Sequence, residues 1–389
     1  MARFLQPKLA SEITSSAESL GGLVVYINLS RYSCDAMVIL PECDDVLHVP
    51  LPELDLHVLH VTRKLFFGYI QGKGREEVTF KRIGKLVKAP DSSQRSRLAG
   101  LYLTCAEVLP YLWRTVVKPV LDSLAIQPRI TKSSADLPRI WWCPSGPLAS
   151  LPLHAAGRYR NEFGDNIFDY VVSSYLPSAA AASYITRREE STRQFRLLTT
   201  ANPEGSGLPG TERELSIIKE HATNLETTEL RGKEATIEAT KRETMFASWV
   251  HFSCHGVQKS EEPLNSALLL ANRSRLSLLE ISKLSIPRAE FAFLSACQTA
   301  KGSTENASES AHLAAGMLVA GYRSVIRTMW RISDASAPDL ANCVYKRLLE
   351  GEWPDYRRAA YALHEATQVL RKQEGTGFMD WVPFIHLGV

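Results

Sequence analysis

Two rhythms alternate along this chain. Residues 23–28 (LVVYIN) and 34–40 (CDAMVIL) are rich in Val and Ile and are separated by SRYS, which predicts two strands. Residues 54–70 and 97–124 carry helical spacing, with a charged loop over 71–94 between them. The pair Leu109-Pro110 lies inside the second helix, so a kink or break is expected there. Residues 139–143 (RIWWC) predict a strand stopped by Pro144-Ser145-Gly146-Pro147, and 169–175 (DYVVSSY) another, before an Ala-rich helical stretch.

A second series opens at 195–200 (FRLLTT), followed by a loop over 202–210 and a helix over 212–222. Strands are predicted at 249–254, 267–270, 291–296 and 324–329, and helices near 309–320, 335–349 and 355–371. Strands interleaved with helices indicate an α/β fold with a mainly parallel sheet. The polar stretch RREESTRQ at 187–194 is the best boundary between two halves, 21–187 and 195–389, with 1–20 as an N-terminal tail.

Composition narrows the function classes. Apolar residues at 45% and charged residues at 22% are ordinary for a soluble globular protein. A net charge of +3 on 389 residues, with no long Lys/Arg block, gives no basis for nucleic-acid binding. The N-terminal stretch lacks the apolar core of a signal peptide, and apolar runs elsewhere fall short of the ~18 residues of a membrane span. No membrane association is therefore expected. Seven scattered cysteines form neither a disulfide framework nor a C-x-x-C metal site, which points to a reduced, cytoplasmic protein with no metal and no cofactor.

The candidate chemistry sits at two strand ends. FAFLSACQTA begins as a core strand and delivers Cys297 to its end, just before a polar run. WVHFSCHG does the same for His255, followed by Gly256, whose missing side chain allows close approach to the backbone. Functional groups of open α/β sheets gather at the carboxyl edge. The two residues are 297 − 255 = 42 apart, near the roughly 50 quoted for caspases. A thiol with an adjacent imidazole is suited to acyl transfer, with the backbone N–H groups of Gly256 and Cys297 as oxyanion donors worth about 3 kcal/mol each. On the residues alone, a structural role for both remains open. Cys254 alternates away from His255 and reads as a buried thiol, and His251 as core or hydrogen-bonded support.

These segments resemble the CHAT domains, relatives of caspases, separases and gingipains. The resemblance lies in VHFSCHG, FAFLSACQTAKG and GMLVAGYRSVIRTMWRISD, and upstream in RIWWCPSGPLASLPLHAAG, DYVVSSYLPS and GTERELSIIKE. It is strong over 139–389 and weaker from Leu23. It implies a caspase-hemoglobinase-like sheet flanked by helices, a catalytic half with the dyad His255 and Cys297, and a non-catalytic companion half before about Arg187. SACQT departs from the caspase signature: Ser295 stands where Gln is expected and Thr299 where Gly is, so chemistry carries over better than specificity.

The implied function is a cysteine endopeptidase acting on a protein or peptide substrate. CHAT proteins often carry helical repeats or a sensor domain, which implies a regulating partner of that kind. The alternative is a silent or latent scaffold acting as an interaction module. Ser295 and Asp334 are further candidates for the substrate cleft, although Asp334 reads more readily as the cap of the helix starting at Ala335. No G-x-S-x-G elbow, P-loop or zincin motif is present. His154 in LPLHAA reads as part of a turn beneath the sheet, and Trp141 and Trp142 as core.

Overall fold

The structure is a computed structural model that describes residues 17–43, 45–87, 100–131, 133–160, 163–178, 181, 195–201, 210–257, 265–284, 286–295, 310–332 and 336–389. Its centre is one eleven-stranded sheet. The first half contributes β1 (Leu23–Leu29), β2 (Cys34–Ile39), β3 (Val46–Pro50), β6 (Arg139–Pro144) and β7 (Val172–Tyr175). The second contributes β8 (Leu197–Ala201), β9 (Thr227–Leu230), β10 (Trp249–Ser253), β14 (Phe291–Leu294), β15 (Ser324–Thr328) and β16 (Phe384–Gly388). The order across the sheet is β3-β2-β1-β6-β7-β16-β15-β14-β10-β8-β9. Two short strands, β4 (Glu76–Glu77) and β5 (Leu101–Tyr102), pair apart from it.

The hand-over between halves fixes which ends share an edge. β16 is parallel to β7 but antiparallel to β15, so the parallel strands of the two halves run in opposite directions. The carboxyl ends of β10, β14 and β15 therefore share an edge with the amino ends of β16, β7 and β6. Strands β8, β10, β14, β15 and β16 are buried at every position, as strands covered on both faces are. Helices cover them: Ser336–Leu348 packs against Gly210–His221 and Ala359–Lys372, and Ser310–Ala320 lies on β15.

Several expectations are corrected in detail. The predicted strand at 267–270 leaves the main sheet: β12 (Ala267–Leu269) sits between β11 (His255–Val257) and β13 (Arg275–Ser277) in a small antiparallel sheet. The proline does not break its helix. Cys105–Leu112 runs through a π turn, Trp113–Val117, into Lys118–Ser123, so the helical path continues past Pro110. The charged loop after 71 contains a helix, Phe80–Val87. Residues 169–171 precede rather than open the strand β7. The boundary at 187–194 lies outside the described residues.

Candidate functional site

Strands β10 and β14 are immediate parallel neighbours, with Trp249 opposite Phe291, His251 opposite Phe293 and Phe252 opposite Leu294. A strand buried on both faces must satisfy any polar side chain inside the protein. His251 is fully buried, and its Nδ1 lies 3.0 Å from the Tyr345 hydroxyl. Its Nε2 stands 3.3 Å from Oε1 of Glu214, a carboxylate only 1% exposed on the helix Gly210–His221. The hydroxyl of Ser253 donates to the other oxygen of Glu214. His251 is thus a hydrogen-bonded core residue, as expected, its ring tilted against that of Phe293 with centroids 4.8 Å apart.

The main-sheet strand ends at Ser253, one residue sooner than the sequence suggests. Cys254 forms a bend and is wholly buried, and burial pushes its thiol up to about 12. That thiol is held protonated at neutral pH, as a structural cysteine would be. His255 then opens β11, half-buried, opposite Leu269, and Gly256 is buried opposite Leu268. Ser295 follows the last residue of β14 and is 5% exposed, too closed in to present much surface to a substrate. Cys297, Asp334 and Thr299 lie outside the described residues.

Glu214 and Tyr345 were not singled out from the sequence. The signal for Glu214 was present: Thr211, Glu214, Leu215 and Ile218 are the buried face of one helix, and a carboxylate on such a stripe needs a buried partner. Tyr345 carried no such mark on an ordinary amphipathic helix. Burial, with Glu214 nearby, raises its phenol well above the usual range.

His154 is structural in its bonding. His154 Nε2 donates to the Val382 carbonyl at 2.8 Å and its Nδ1 lies 2.9 Å from the Tyr175 hydroxyl, beneath the sheet. Burial lowers its pKa to about 4. Trp141 and Trp142 are both core. Among the described residues no three His, Cys, Asp or Glu side chains are grouped to hold a metal ion, and no helix is long and apolar enough to cross a membrane.

Comparison with known proteins bears on this arrangement. No curated protein matches the chain. Among solved structures, the chain of the Saccharomyces cerevisiae separase–securin complex at 3.0 Å superposes over 97% of this chain with a TM-score of 0.58 and 11% identity. A second structure of that complex, at 2.6 Å, gives 0.54 over the same share. This chain spans only 30% of that separase chain, and the likeness is one of fold. The Arg-specific cysteine proteinase gingipain R is also similar, with a TM-score of 0.45, 12% identity, and coverage of 81% of this chain and 77% of that one. The large, mostly parallel sheet flanked by helices is of the caspase-like kind that the CHAT resemblance implied. The CHAT domain model matches residues 107–389, well over half of the sequence, and the chain belongs to the CHAT domain family.

Proposed function

We propose that the chain is a cysteine endopeptidase whose dyad is Cys297 and His255. One observation carries this reading. β10 and β14 pair with a constant offset, as in 293 − 251 = 42, and the two candidate residues differ by the same 297 − 255 = 42. Because β10 and β14 are adjacent and parallel, the chain leaves both at the same sheet edge, a few residues in sequence before His255 and Cys297, and this supports pairing the two. The buried pairing of Glu214 with His251 and Ser253 supports it by fixing the strand that leads into His255.

In this reading the Cys297 thiolate attacks the peptide carbonyl carbon, forming a C–S bond and an oxyanion bound by the backbone N–H groups of Gly256 and Cys297. The His255 imidazolium gives its proton to the departing amine as the C–N bond breaks. Water, losing a proton to His255, then hydrolyses the thioester. Residues 195–389 form the catalytic half and 21–187 the non-catalytic companion.

The occupant is a polypeptide substrate, and a helical-repeat or sensor protein is the regulating partner on the strength of the family resemblance. The six described cysteines are all unpaired, which supports a reducing, cytoplasmic setting.

A peptidyl acyloxymethyl ketone tests the reading. Mass spectrometry should locate the label on Cys297, with loss of labelling in Cys297→Ala and slowing of a hundredfold order in His255→Ala. Labelling elsewhere, or none even with a candidate partner present, would favour an interaction module without turnover.

A further inference from the structure

On the same sheet edge as the carboxyl ends of β10 and β14 lies a second feature, a cleft of about 620 Å³. It opens between the loop before β7 and the segment joining the helix Ala359–Lys372 to β16. Because β7 and β16 begin at this edge, the cleft stands two to three strand spacings from β14, roughly 10–15 Å. Tyr159, Phe163, Phe378 and Trp381 supply aromatic walls, and Phe163 is 53% exposed. Arg371 and Lys372 supply positive charge at the end of their helix.

Arg371 is held in place without a carboxylate. Its Nη1 donates to Asn166 Oδ1 at 3.0 Å, and its guanidinium lies 5.5 Å from the Tyr159 ring centre and 5.2 Å from that of Phe168. It makes no ion pair among the described residues; the Tyr159 side chain also hydrogen-bonds it and the Asp169 carboxylate in the cleft wall acts on it electrostatically, which leaves part of its donor capacity for a ligand. The acids nearby are otherwise engaged. Asp169 Oδ2 accepts from the Gly164 N–H and from Asn166 Nδ2, both at 2.9 Å. Asp380 accepts from the Gly377 N–H at 2.8 Å and from the Ser336 hydroxyl at 2.7 Å. A pre-oriented guanidinium beside a lysine, walled by rings, suits a planar anion with an apolar neighbour.

We propose that this cleft is an accessory binding site for an acidic stretch of polypeptide, with a carboxylate side chain on Arg371 and Lys372 and an aromatic or apolar neighbour against the rings. The polypeptide nature of the occupant rests on the peptidase reading, because one bound chain along this edge can reach both places. An extended chain rises about 3.3 Å per residue, so a few residues bridge them.

Fluorescence anisotropy of the whole chain carrying Cys297→Ala tests this without turnover. The probes are a fluorescein-labelled peptide of alternating glutamate and phenylalanine and its twin with glutamine for glutamate. The acidic peptide should bind about tenfold more tightly, the worth of one charge-assisted pair. Arg371→Gln should abolish that preference and Arg371→Lys retain part of it, with melting curves confirming the fold. Because Arg371 also packs on rings, the exposed Lys372→Gln is the second variant and should lose about threefold. Equal binding of both peptides, no binding of either, or an undiminished preference in both glutamine variants would overturn the proposal. Failure to label Cys297 would sink the peptidase reading and leave this binding result standing.

Discussion

The indole Nε1 of Trp141 donates a 2.7 Å hydrogen bond to the carbonyl oxygen of Gly388, tying β6 of the first half to the far end of β16. A neighbouring residue of β16 reaches both ways. His386 Nδ1 lies 2.9 Å from Ser174 on β7, and its Nε2 lies 2.8 Å from Ser324 on β15. The seam between the halves is therefore made of specific buried polar bonds as well as apolar packing.

A fragment beginning at residue 194 should consequently fail as an independent unit. It would leave one long edge of β16 unpaired and expose the partners of Trp141 and Ser174, which is an aggregation hazard as well as a loss of burial. Size-exclusion chromatography and urea unfolding should show aggregates or a broad, weak transition. Cooperative unfolding at the midpoint of the whole chain would contradict this.

Removing the carboxylate of Glu214 should destabilise the protein and loosen the approach to His255. Glu214→Ala leaves Ser253 and His251 without their buried partner, a cost of about 2–4 kcal/mol. Glu214→Gln keeps an oxygen for the Ser253 hydroxyl and should cost about half as much. Urea midpoints at neutral pH measure the difference, and equal values for the two variants would show that the acid is not what the pair requires.

Mild acid should weaken the fold. Burial lowers the pKa of His154 from 6.5 to about 4 and that of His364 from 6.5 to about 3, and burial with Arg139 nearby lowers His386 well below 6.5. Below pH 6.5 the unfolded chain takes up protons at these sites while the folded chain does not. Their stabilisation is thus complete above that pH and is lost as the pH falls towards 4, by up to ~1.4 kcal/mol per pH unit for each histidine. Glu280, held down to about 2 first by its hydrogen bond from Lys241, loses its contribution only at lower pH and does not mask the effect. Thermal melts between about pH 7 and about pH 5 should show a steady fall in Tm, and a flat profile would refute the assignment.

Three strands buried at every position were legible, because Trp249–Ser253 and Phe291–Leu294 are mainly apolar and Ser324–Thr328 carries a Val-Ile pair. Strands whose character is set by neighbours were not. Thr227–Leu230 is a polar edge, and Phe384–Gly388 contains a histidine that becomes strand-like only through Ser174 and Ser324. Three-residue strands such as His255–Val257 carry too little pattern to separate from the run before them, so the bend at Cys254 was invisible. His255 was singled out because the apolar run that precedes it, and the Gly256 that follows, are visible in sequence. Glu214 was missed because its partners are distant along the chain.

β16 has five strands on either side in the sheet, yet it follows all of them in the order of synthesis. While a ribosome is making this protein, β7 and β15 must wait as two uncapped borders until residues 384–388 emerge. Until that moment the nascent chain is two unfinished half-sheets, exposed to mispairing with each other or with neighbouring chains. Completion of the sheet is therefore gated by β16, and a stop shortly before residue 384 should be far more damaging than the absence of one five-residue strand suggests.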